Sequence, residues 1–336
     1  MKKPEQRPSA ILAFDTSAYT TSVAAVEEGG RVIADERRLL EVRTGDRGLR
    51  QSQAFFQHIA RLPELTEAAC RIIRESNCEI RAFAASATPR PEKDSYMPVF
   101  MAGLRTAENL AAALDVPLFR FSHQEGHIAA AAGVLKEENK ALAFHLSGGT
   151  TELLLIQGCR PDRIVGGSND LSFGQLIDRT GVAFGMAFPS GKEMDEAAIR
   201  GKDQMRFHFS RRRRRVYEKP VLSDIHIEGT ELNLSGIENT CMKAARQGIP
   251  VEQVAAELFQ RVADAIILTV SEAASRENVR QVILAGGVAS SRFLREQVQD
   301  GLCRQGVQVI FGEPAYCSDN AVGIARLGMD SFFRKK

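Results

Sequence analysis

Short apolar runs alternate along the chain with longer stretches in which apolar residues recur at helical spacing. This alternation of strand and helix signals is typical of an α/β protein. Beyond two hairpins described below, the predicted strands are Ile80–Ala87, Val116–Phe121, Gln281–Ala285 and Val307–Phe311. The predicted helices are Gln51–Asn77 with Pro63 as a point where it can break, Pro98–Leu114, a helix near His127, Phe173–Phe184, Glu193–Arg200, Val251–Arg276, Arg292–Gly301 and Asn320–Phe333.

Two segments about half the chain apart share one strand–turn–strand pattern. Residues Ala10–Val26 read AILAFDTSAYTTSVAAV, and residues Ala141–Ile156 read ALAFHLSGGTTELLLI. In both, an apolar run leads through small polar residues into a second run that opens with two threonines, which predicts a β-hairpin. The repetition predicts two related α/β lobes, although two such hairpins can also resemble each other by chance.

Charge is nearly balanced over the 336 residues, with 44 Lys and Arg against 42 Asp and Glu and a net charge of +2. This balance excludes binding to nucleic acid or membrane through the overall charge of the protein, but it does not exclude binding through a local cluster of charge. The segment Lys202–Lys219 holds five consecutive arginines, Arg211–Arg215, whose mutual repulsion predicts a solvated loop or arm. Such a cluster is either an ordinary charged surface or a contact to a phosphate backbone. A second, proline-rich loop is predicted at Thr88–Pro98.

The remaining composition bears on the cellular compartment. No apolar run approaches the roughly 18 to 20 residues that span a bilayer, which predicts no membrane association. The basic N-terminus reaches Asp15 after too short an apolar stretch for a secretory signal. Six cysteines are scattered without a CxxC pair, as expected of reduced thiols. Together these features predict a cytoplasmic protein.

The pentapeptide HQEGH, from His123 to His127, places two histidines four residues apart. On a helix such residues lie on one face within reach of a single metal ion. Its glutamate is third rather than second, so the HExxH motif of zinc proteases does not match. Two imidazoles leave the coordination shell incomplete, and a carboxylate from elsewhere is the expected third ligand. The alternative interpretation is an ordinary polar helix N-terminus.

Three turns of small residues each follow an apolar strand, at Asp15–Ser17, Leu146–Thr151 and Gly286–Val288. Backbone amides in such turns can approach a phosphate closely because no bulky side chain intervenes. The third turn also precedes a predicted helix, whose N-terminus favours anions. Together the turns predict a nucleotide-type ligand. The segment Tyr316–Asn320 precedes the last predicted helix, where a serine or aspartate is expected as the N-cap.

Taken in order, several motifs resemble those of one known family. They are FDTS, HQEGH, LSGGTTELL, the stretch FGQLIDRTGVAFGMAFPSG, LSG, AGGVASSRFLR and YCSDNA. They resemble TsaD, the family that makes threonylcarbamoyladenosine in tRNA and that was formerly named O-sialoglycoprotein endopeptidase or glycoprotease. This family belongs to the ASKHA superfamily of actin-like ATPases and sugar kinases. The resemblance runs from about Ile11 to Gly328, and the pair HxEGH and YCSDNA is its specific part.

The resemblance implies two actin-like, ribonuclease H-like α/β lobes with the ligand in a cleft between them. The N-terminal lobe is expected over residues 8–138 and the C-terminal lobe over residues 139–336, with a basic insertion near 202–220. The implied reaction moves a threonylcarbamoyl group from its adenylate to the exocyclic amine of the adenine beside the tRNA anticodon.

The resemblance also implies a set of site residues. His123, His127 and Asp319 would hold one divalent metal ion, iron or zinc, which would orient the acyl donor and polarise its carbonyl. Asp15 and Asp178 are the predicted catalytic residues. The predicted contacts to ATP, AMP or threonylcarbamoyl-adenylate are His145, Leu146, Ser147, Gly148, Gly149, Asp178, Gly191, Gly286, Gly287 and Ser291.

The implied partners are tRNA, an adenylate-forming enzyme and small accessory subunits of the modification complex. The chain itself is expected as a homodimer, or as a heterodimer with a paralogous actin-like subunit. Arg211–Arg215 is the candidate contact for tRNA, although this run is not a family motif.

Several positions depart from the family's motifs. The histidine that usually follows SGG is Thr150, the second residue of an acidic pair is Leu171, the asparagine of GGVxxN is Ser291, and the lysine of SGLK is Glu238. The metal ligands are thus intact, whereas the nucleotide-binding residues are partly replaced. Two alternatives stay open: a non-catalytic or regulatory paralogue that binds a nucleotide or a partner protein, and a carbamoyl-type transferase with another acceptor.

Overall fold

The computed structural model of the protein describes residues 7–17, 19–42, 49–92, 95–202, 207–209, 215–217 and 220–334, with the backbone alone at 207–209 and 215–217. Its strands are β1 (Ser9–Asp15), β2 (Thr20–Glu27), β3 (Val32–Leu39), β4 (Glu79–Thr88), β5 (Leu118–Ser122), β6 (Lys140–Leu146), β7 (Thr151–Gln157), β8 (Arg160–Ser168), β9 (Phe207–Phe209), β10 (Arg215–Tyr217), β11 (His226–Glu228), β12 (Glu231–Asn233), β13 (Gln281–Ala285) and β14 (Gln308–Phe311). Its helices are α1 (Gln51–Glu75), α2 (Phe100–Leu114), α3 (His123–Ala132), α4 (Phe173–Ala183), α5 (Gly191–Gly201), α6 (Ser235–Arg246), α7 (Val251–Glu277), α8 (Arg292–Cys303) and α9 (Val322–Arg334).

These elements form two compact units. Unit 1 lies within Met1–Asn139, Gln157–Pro161 and Ala315–Lys336, and unit 2 lies within Lys140–Ile156 and Asp162–Pro314. The last helix, α9, therefore packs with the N-terminal part of the chain. The lobe boundary at residues 138 and 139 stays a prediction.

The sheet of unit 1 has five strands in the order β3-β2-β1-β4-β5. Its central strand, β1, runs antiparallel to β2 and parallel to β4. Every residue of β1 is buried, because Leu12 and Phe14 face the core under α1 and α2 whereas Ile11 and Ala13 face α9. Burial on both faces explains why this strand is an unbroken apolar run in the sequence.

The sheet of unit 2 has seven strands in the order β11-β12-β8-β7-β6-β13-β14. β13 is parallel to both of its neighbours, β6 and β14. The run β8-β7-β6-β13-β14 repeats the order β3-β2-β1-β4-β5 of unit 1, with corresponding strands in the same chain order. The duplication predicted from the two similar hairpins is therefore confirmed by the sheet topology.

The predicted helices and strands agree with the structure to within a few residues at their ends. The helix predicted at Gln51–Asn77 is not broken at Pro63, because packing of Leu62 and Leu65 in the core compensates for the hydrogen bond that proline cannot make. The sequence analysis missed β3, β8, β11, β12 and α6, and it predicted a loop or arm where β9 and β10 lie. Among the described residues, no helix is both long and apolar enough to cross a membrane.

The basic segment Lys202–Lys219 is not a loop throughout. Within it, the short strands β9 and β10 pair antiparallel. The arginines Arg211–Arg214 lie outside the described residues.

A buried ion pair lies inside the apolar core of unit 2. The side chains of Glu257 and Arg261 on α7 are only 6% and 5% exposed. Arg261 Nη2 donates to Glu257 Oε1 at 2.7 Å and to the carbonyl of Leu222 at 2.8 Å. Glu257 in turn accepts from the amides of Val221 and Leu222. The pair thus ties the segment that follows the basic stretch to the most buried helix of the unit.

Removing one member of this pair should cost more stability than removing an exposed pair on the same helix. We expect Glu257→Ala to lower the free energy of unfolding by up to about 3–5 kcal/mol, because Arg261 then stays buried with only the exposed carboxylate of Asp224 and the carbonyl of Leu222 as partners. The control Glu252→Ala breaks the exposed contact with Arg200 at 3.7 Å and should cost less than about 1 kcal/mol. Urea unfolding measures both variants, and equal losses would contradict the structural role of the buried pair.

Candidate functional site

The two histidines of HQEGH lie in the first turns of α3, which follows β5 directly. Ser122 caps the helix, because its Oγ accepts from the amide of Glu125 at 3.3 Å and its own amide donates to Glu125 Oε2 at 2.7 Å. His123 and His127 lie one turn apart, with ring centroids separated by 4.3 Å and ring planes at 73° to each other. The helical spacing predicted from the sequence is confirmed. The capping role of Glu125 was missed, although the pattern S-x-x-E indicates it.

Helix α9 reaches the histidines through a backbone contact with α3. A Cβ added at Gly323 would lie 1.8 Å from the carbonyl oxygen of Gly126, so no larger residue fits between the two helices. Asp319 lies just before α9, and its carboxylate approaches both imidazoles. The close approach of the helices therefore sets the position of the third predicted ligand.

Three side-chain atoms converge at this point. His123 Nε2 and His127 Nε2 are 2.9 Å apart, and Asp319 Oδ1 lies 3.5 Å and 3.3 Å from them. Ligands bound to one ion at about 2.0–2.1 Å stand about 3.0–3.4 Å from each other. The three atoms therefore fit neighbouring corners of one coordination sphere and leave its other positions to further ligands. Their role as metal ligands stays a prediction, which this geometry supports.

Asp15 lies behind His123, at the end of β1. His123 Nδ1 donates to Asp15 Oδ2 at 2.8 Å, and the amide of Ser17 donates to Asp15 Oδ1 at 2.8 Å. The Asp15 side chain is only 1% exposed, and its contact in the structure is with His123. The catalytic role of Asp15 stays a prediction, and the geometry shows it orienting His123. By accepting the Nδ1 proton, Asp15 turns the Nε2 lone pair of His123 towards the other two ligand atoms.

Burial and mutual charge set the protonation of this cluster. Burial alone would lower the pKa of His123, but the Asp15 and Asp319 carboxylates outweigh it and raise this pKa to about 10. Burial and the charge on His123 both lower the pKa of His127. Burial would raise the pKa of Asp319, but hydrogen bonds from both histidines hold it well below its usual value. His123 therefore carries the proton that a bound cation would displace.

In unit 2, the small-residue turn Ser147–Thr150 joins β6 to β7. Ser147 Oγ accepts from the amides of Gly149 and Thr150 at 3.3 and 3.0 Å. Gly148 and Gly149 are exposed, with open space where side chains would be. Two amides of the turn are thus engaged by Ser147, and a phosphate would have to displace this hydroxyl to bind them.

The predicted contacts at the end of β6 are buried, unlike the exposed Gly148 and Gly149. His145 and Leu146 are buried, 7% and 1% exposed, and the Leu146 side chain belongs to the core of unit 2. Gly286 has a φ of +97°, and a Cβ there would lie 2.4 Å from the carbonyl oxygen of Leu146. The structure therefore brings the turn at Gly286–Gly287 against the end of β6, next to the turn at Ser147–Thr150.

Asp178 and Gly191 also come together as predicted contacts. Asp178 Oδ1 accepts from the amides of Ser190 and Gly191 at 2.8 and 3.1 Å, which joins α4 to the start of α5. Burial raises the pKa of Asp178 against the effect of these hydrogen bonds. The catalytic role of Asp178 stays a prediction.

Ser291 occupies the N-terminus of α8 with a partner that the sequence analysis missed. Ser291 Oγ donates to Asp195 Oδ1 at 2.5 Å and accepts from the amide of Leu294 at 3.0 Å. Asp195 also accepts from the amides of Arg292 and Phe293 at 2.9 and 3.1 Å. The first amides of α8 are thus occupied by the protein's own carboxylate and hydroxyl, and Ser291 donates its hydroxyl proton to Asp195. The nucleotide contact of Ser291 stays a prediction.

One further departure from the family motifs, Glu238, and one retained motif residue, Asp170, have partners within unit 2. Glu238, at the lysine position of SGLK, pairs with Arg179 at 3.0 Å. Asp170, the retained acid of the acidic pair, accepts from the amides of Leu234 and Ser235 at 2.8 and 2.9 Å and so anchors the LSG motif that begins α6. Burial would raise the pKa of Asp170, but these hydrogen bonds lower it to about 2.

Separating α3 from α9 should disturb the histidine–aspartate cluster. We expect Gly323→Ala to lower the free energy of unfolding by about 1–3 kcal/mol or more, because the methyl group overlaps Gly126, and to reduce the ion content of the purified protein. The control Gly236→Ala places a methyl group in open space on α6 and should change stability by less than about 1 kcal/mol. Chemical unfolding and elemental analysis measure both effects. Wild-type stability and ion content in Gly323→Ala would contradict the role of the helix contact.

The fold is similar to that of solved actin-like ASKHA proteins. The T.kodakarensis HypF structure superposes with a TM-score of 0.62 at 15% identity and covers 98% of this chain, which spans 49% of that longer protein. The Acidaminococcus fermentans (R)-2-hydroxyglutaryl-CoA dehydratase component A superposes with a TM-score of 0.54 at 14% identity, over 97% of this chain and 99% of that one. At such identities the likeness bears on the fold alone, and it confirms the predicted duplicated actin-like α/β architecture.

Sequence comparisons identify the family. The tRNA N6-adenosine threonylcarbamoyltransferase of Limosilactobacillus fermentum is 30% identical over 95% of this chain and 90% of its own length. The enzyme of the same name from Ligilactobacillus salivarius is 30% identical over 98% of this chain and 93% of its own length. A profile of the TsaD family, described as tRNA N6-adenosine threonylcarbamoyltransferase, matches residues 42–326. This range includes His123, His127 and Asp319. The resemblance seen in the motifs is thereby confirmed, and the chain belongs to the TsaD family.

Proposed function

We propose that this protein transfers a threonylcarbamoyl group from threonylcarbamoyl-adenylate to the exocyclic amine of the adenine beside the tRNA anticodon. The observation that carries this proposal is the convergence of His123, His127 and Asp319 within a chain that the TsaD profile matches. The relatives reported above carry the name of this transferase, and none of them favours a regulatory paralogue or a transferase with another acceptor.

The same three residues would hold one divalent ion. Two imidazoles and one carboxylate on one side of an ion suit iron(II) or zinc. When bound, the ion would act as a Lewis acid and template that orients the acyl donor and polarises its carbonyl. Asp15 keeps the Nδ1 proton of His123 on the far side of the ring, so that Nε2 is available to the ion.

Nucleotide binding is proposed for unit 2. The exposed glycines Gly148 and Gly149 and the neighbouring turn at Gly286–Gly287 present backbone that a phosphate can approach, once it displaces the Ser147 hydroxyl from the amides of Gly149 and Thr150. Asp178 beside Gly191 is the proposed carboxylate partner of the nucleotide's polar groups. HypF, of the same fold, has been solved in a phosphate- and nucleotide-bound form.

The proposed protein partners follow from the chemistry of the acyl donor, threonylcarbamoyl-adenylate. An acyl-adenylate is formed by a separate activating reaction, so we propose that an adenylate-forming enzyme supplies the substrate in the cytoplasm. Small accessory subunits, and a homodimer or a heterodimer with a paralogous actin-like subunit, belong to the same proposal.

The activity is tested directly by incubating the protein with threonylcarbamoyl-adenylate and unmodified tRNA, with and without partner subunits. Mass spectrometry of the digested tRNA should detect threonylcarbamoyladenosine with the wild type. The double variant His123→Ala/His127→Ala should lose the product and the bound ion, because two of three ligands are gone. The control His226→Ala removes an exposed imidazole from β11 and should keep both.

Two results would contradict the proposal. Absence of modified adenosine in every combination, from protein that contains its ion, would reject the transfer reaction and favour a non-catalytic paralogue. Product formation by the double variant would separate the reaction from the cluster.

We also propose that Arg211–Arg215 contacts the tRNA backbone. Replacing these five arginines by glutamine should weaken tRNA binding and flatten its dependence on salt, because each lost phosphate contact reduces the log–log slope by about 0.7–0.9. The control replaces five arginines that already pair with neighbouring carboxylates, namely Arg31, Arg71, Arg81, Arg105 and Arg120. Both variants lose the same net charge, so an equal change of slope in the two would show that the arginine run is ordinary surface.

A further inference from the structure

Asp319 lies in the segment from Ala315 to Ala321. An arginine of the edge strand β3 donates hydrogen bonds to the first part of this segment. Arg37 Nη2 donates to the carbonyl of Ala315 at 2.8 Å, and Arg37 Nη1 donates to Ser318 Oγ at 3.1 Å. One planar guanidinium thus holds two points of the segment, the second of them directly before Asp319.

Arg37 is itself fixed in place. Its Nε donates to Asp35 Oδ1 at 2.8 Å, and its Nη2 donates to the other carboxylate oxygen of Asp35. Both side chains are partly buried, 22% and 21% exposed. A bidentate pair of this kind orients the guanidinium rigidly, so the remaining donors point in defined directions.

The end of the segment is held by other groups. Asn320 Nδ2 donates to the carbonyls of Tyr316 and Ser318 at 2.9 and 2.7 Å, and Asn320 Oδ1 accepts from the amide of Val322 at 2.9 Å. The amide of Ala321 donates to Ser22 Oγ on β2 at 2.9 Å. Hydrogen bonds therefore hold the backbone on both sides of Asp319, and Arg37 provides those on its N-terminal side.

We propose that Arg37 is a positioning residue that holds Asp319 in place as the third metal ligand. The proposal rests on the proposed function, because it assumes that the cluster of His123, His127 and Asp319 binds an ion. Its physical basis is that Asp319 lies in an irregular segment, whereas both histidines are fixed on a helix. The segment is fixed to the sheet by Arg37 and Ser22, so loss of Arg37 loosens the N-terminal side of the segment that carries the carboxylate but leaves the imidazoles in place.

The charge of Arg37 makes the proposal distinguishable from a purely electrostatic effect. A cation near a metal site repels the metal ion, so removal of charge alone would strengthen binding. Loss of positioning would weaken it. Partners that orient metal ligands change metal affinity by about 10–100-fold when they are removed.

The test measures the affinity of the full-length protein for Zn²⁺ and Co²⁺ by chelator competition, together with the visible absorption of the Co²⁺ form. We expect Arg37→Met to bind about 10–100-fold more weakly than the wild type and to alter the Co²⁺ spectrum. Arg37→Lys keeps the charge but cannot hold Asp35, Ala315 and Ser318 at once, so it should be weakened as well, though less. The neighbouring Arg38→Met is the matched control, because Arg38 pairs with exposed Glu64 at 3.1 Å on the other face of β3.

The outcomes separate this inference from the proposed function. Wild-type protein that binds neither ion stoichiometrically overturns the metal centre itself. A wild type that binds, with Arg37→Met equal to or tighter than Arg38→Met, overturns the positioning role alone. If Arg37→Met does not fold, Ser318→Ala removes one grip and leaves β3 unchanged; weaker binding there supports the proposal, and unchanged binding overturns it.

Discussion

The backbone contact between α3 and α9 at Gly126 and Gly323 determines whether the candidate metal centre exists. The two histidines belong to α3 and need only helical geometry to face one point. The carboxylate of Asp319 comes from the far end of the chain and reaches that point only because α9 starts against α3. A metal–ligand bond tolerates displacements of about 0.2 Å, so even one methyl group between the helices exceeds what the site can absorb.

The sheet of unit 1 provides the common frame for these helices. The residues of β1 that face α9, Ile11 and Ala13, bury that helix, and the end of the same strand presents Asp15 to His123. Strand β2 holds the segment before α9 through Ser22, and β3 holds it through Arg37. Three adjacent strands thus fix the orientation of one imidazole and the position of the carboxylate. The site therefore depends on the sheet as much as on the helices.

Sequence analysis reached the local part of this arrangement and missed the rest for physical reasons. Helical spacing placed His123 and His127 on one face because both lie on one element. Asp319 entered only through the resemblance to a family, since no periodicity links residues so distant along the chain. The positions of Asp15 and Arg37 depend on sheet order and on which face a side chain takes, and neither follows from composition. Glu125 was readable from its capping pattern, because that interaction is local.

The same distinction applies to unit 2. The departures at Ser291 and Glu238 look like losses when they are compared with a motif, but each has gained a partner, Asp195 and Arg179, that lies far away in the sequence. The Asp195 carboxylate has a consequence for ligand binding. It places a negative charge on the N-terminal amides of α8, where a phosphate would otherwise be favoured, so like-charge repulsion disfavours an anion there. At the turn Ser147–Thr150, where we propose that a nucleotide's phosphates bind, the amides of Gly149 and Thr150 are held only by the neutral hydroxyl of Ser147, which brings no like charge.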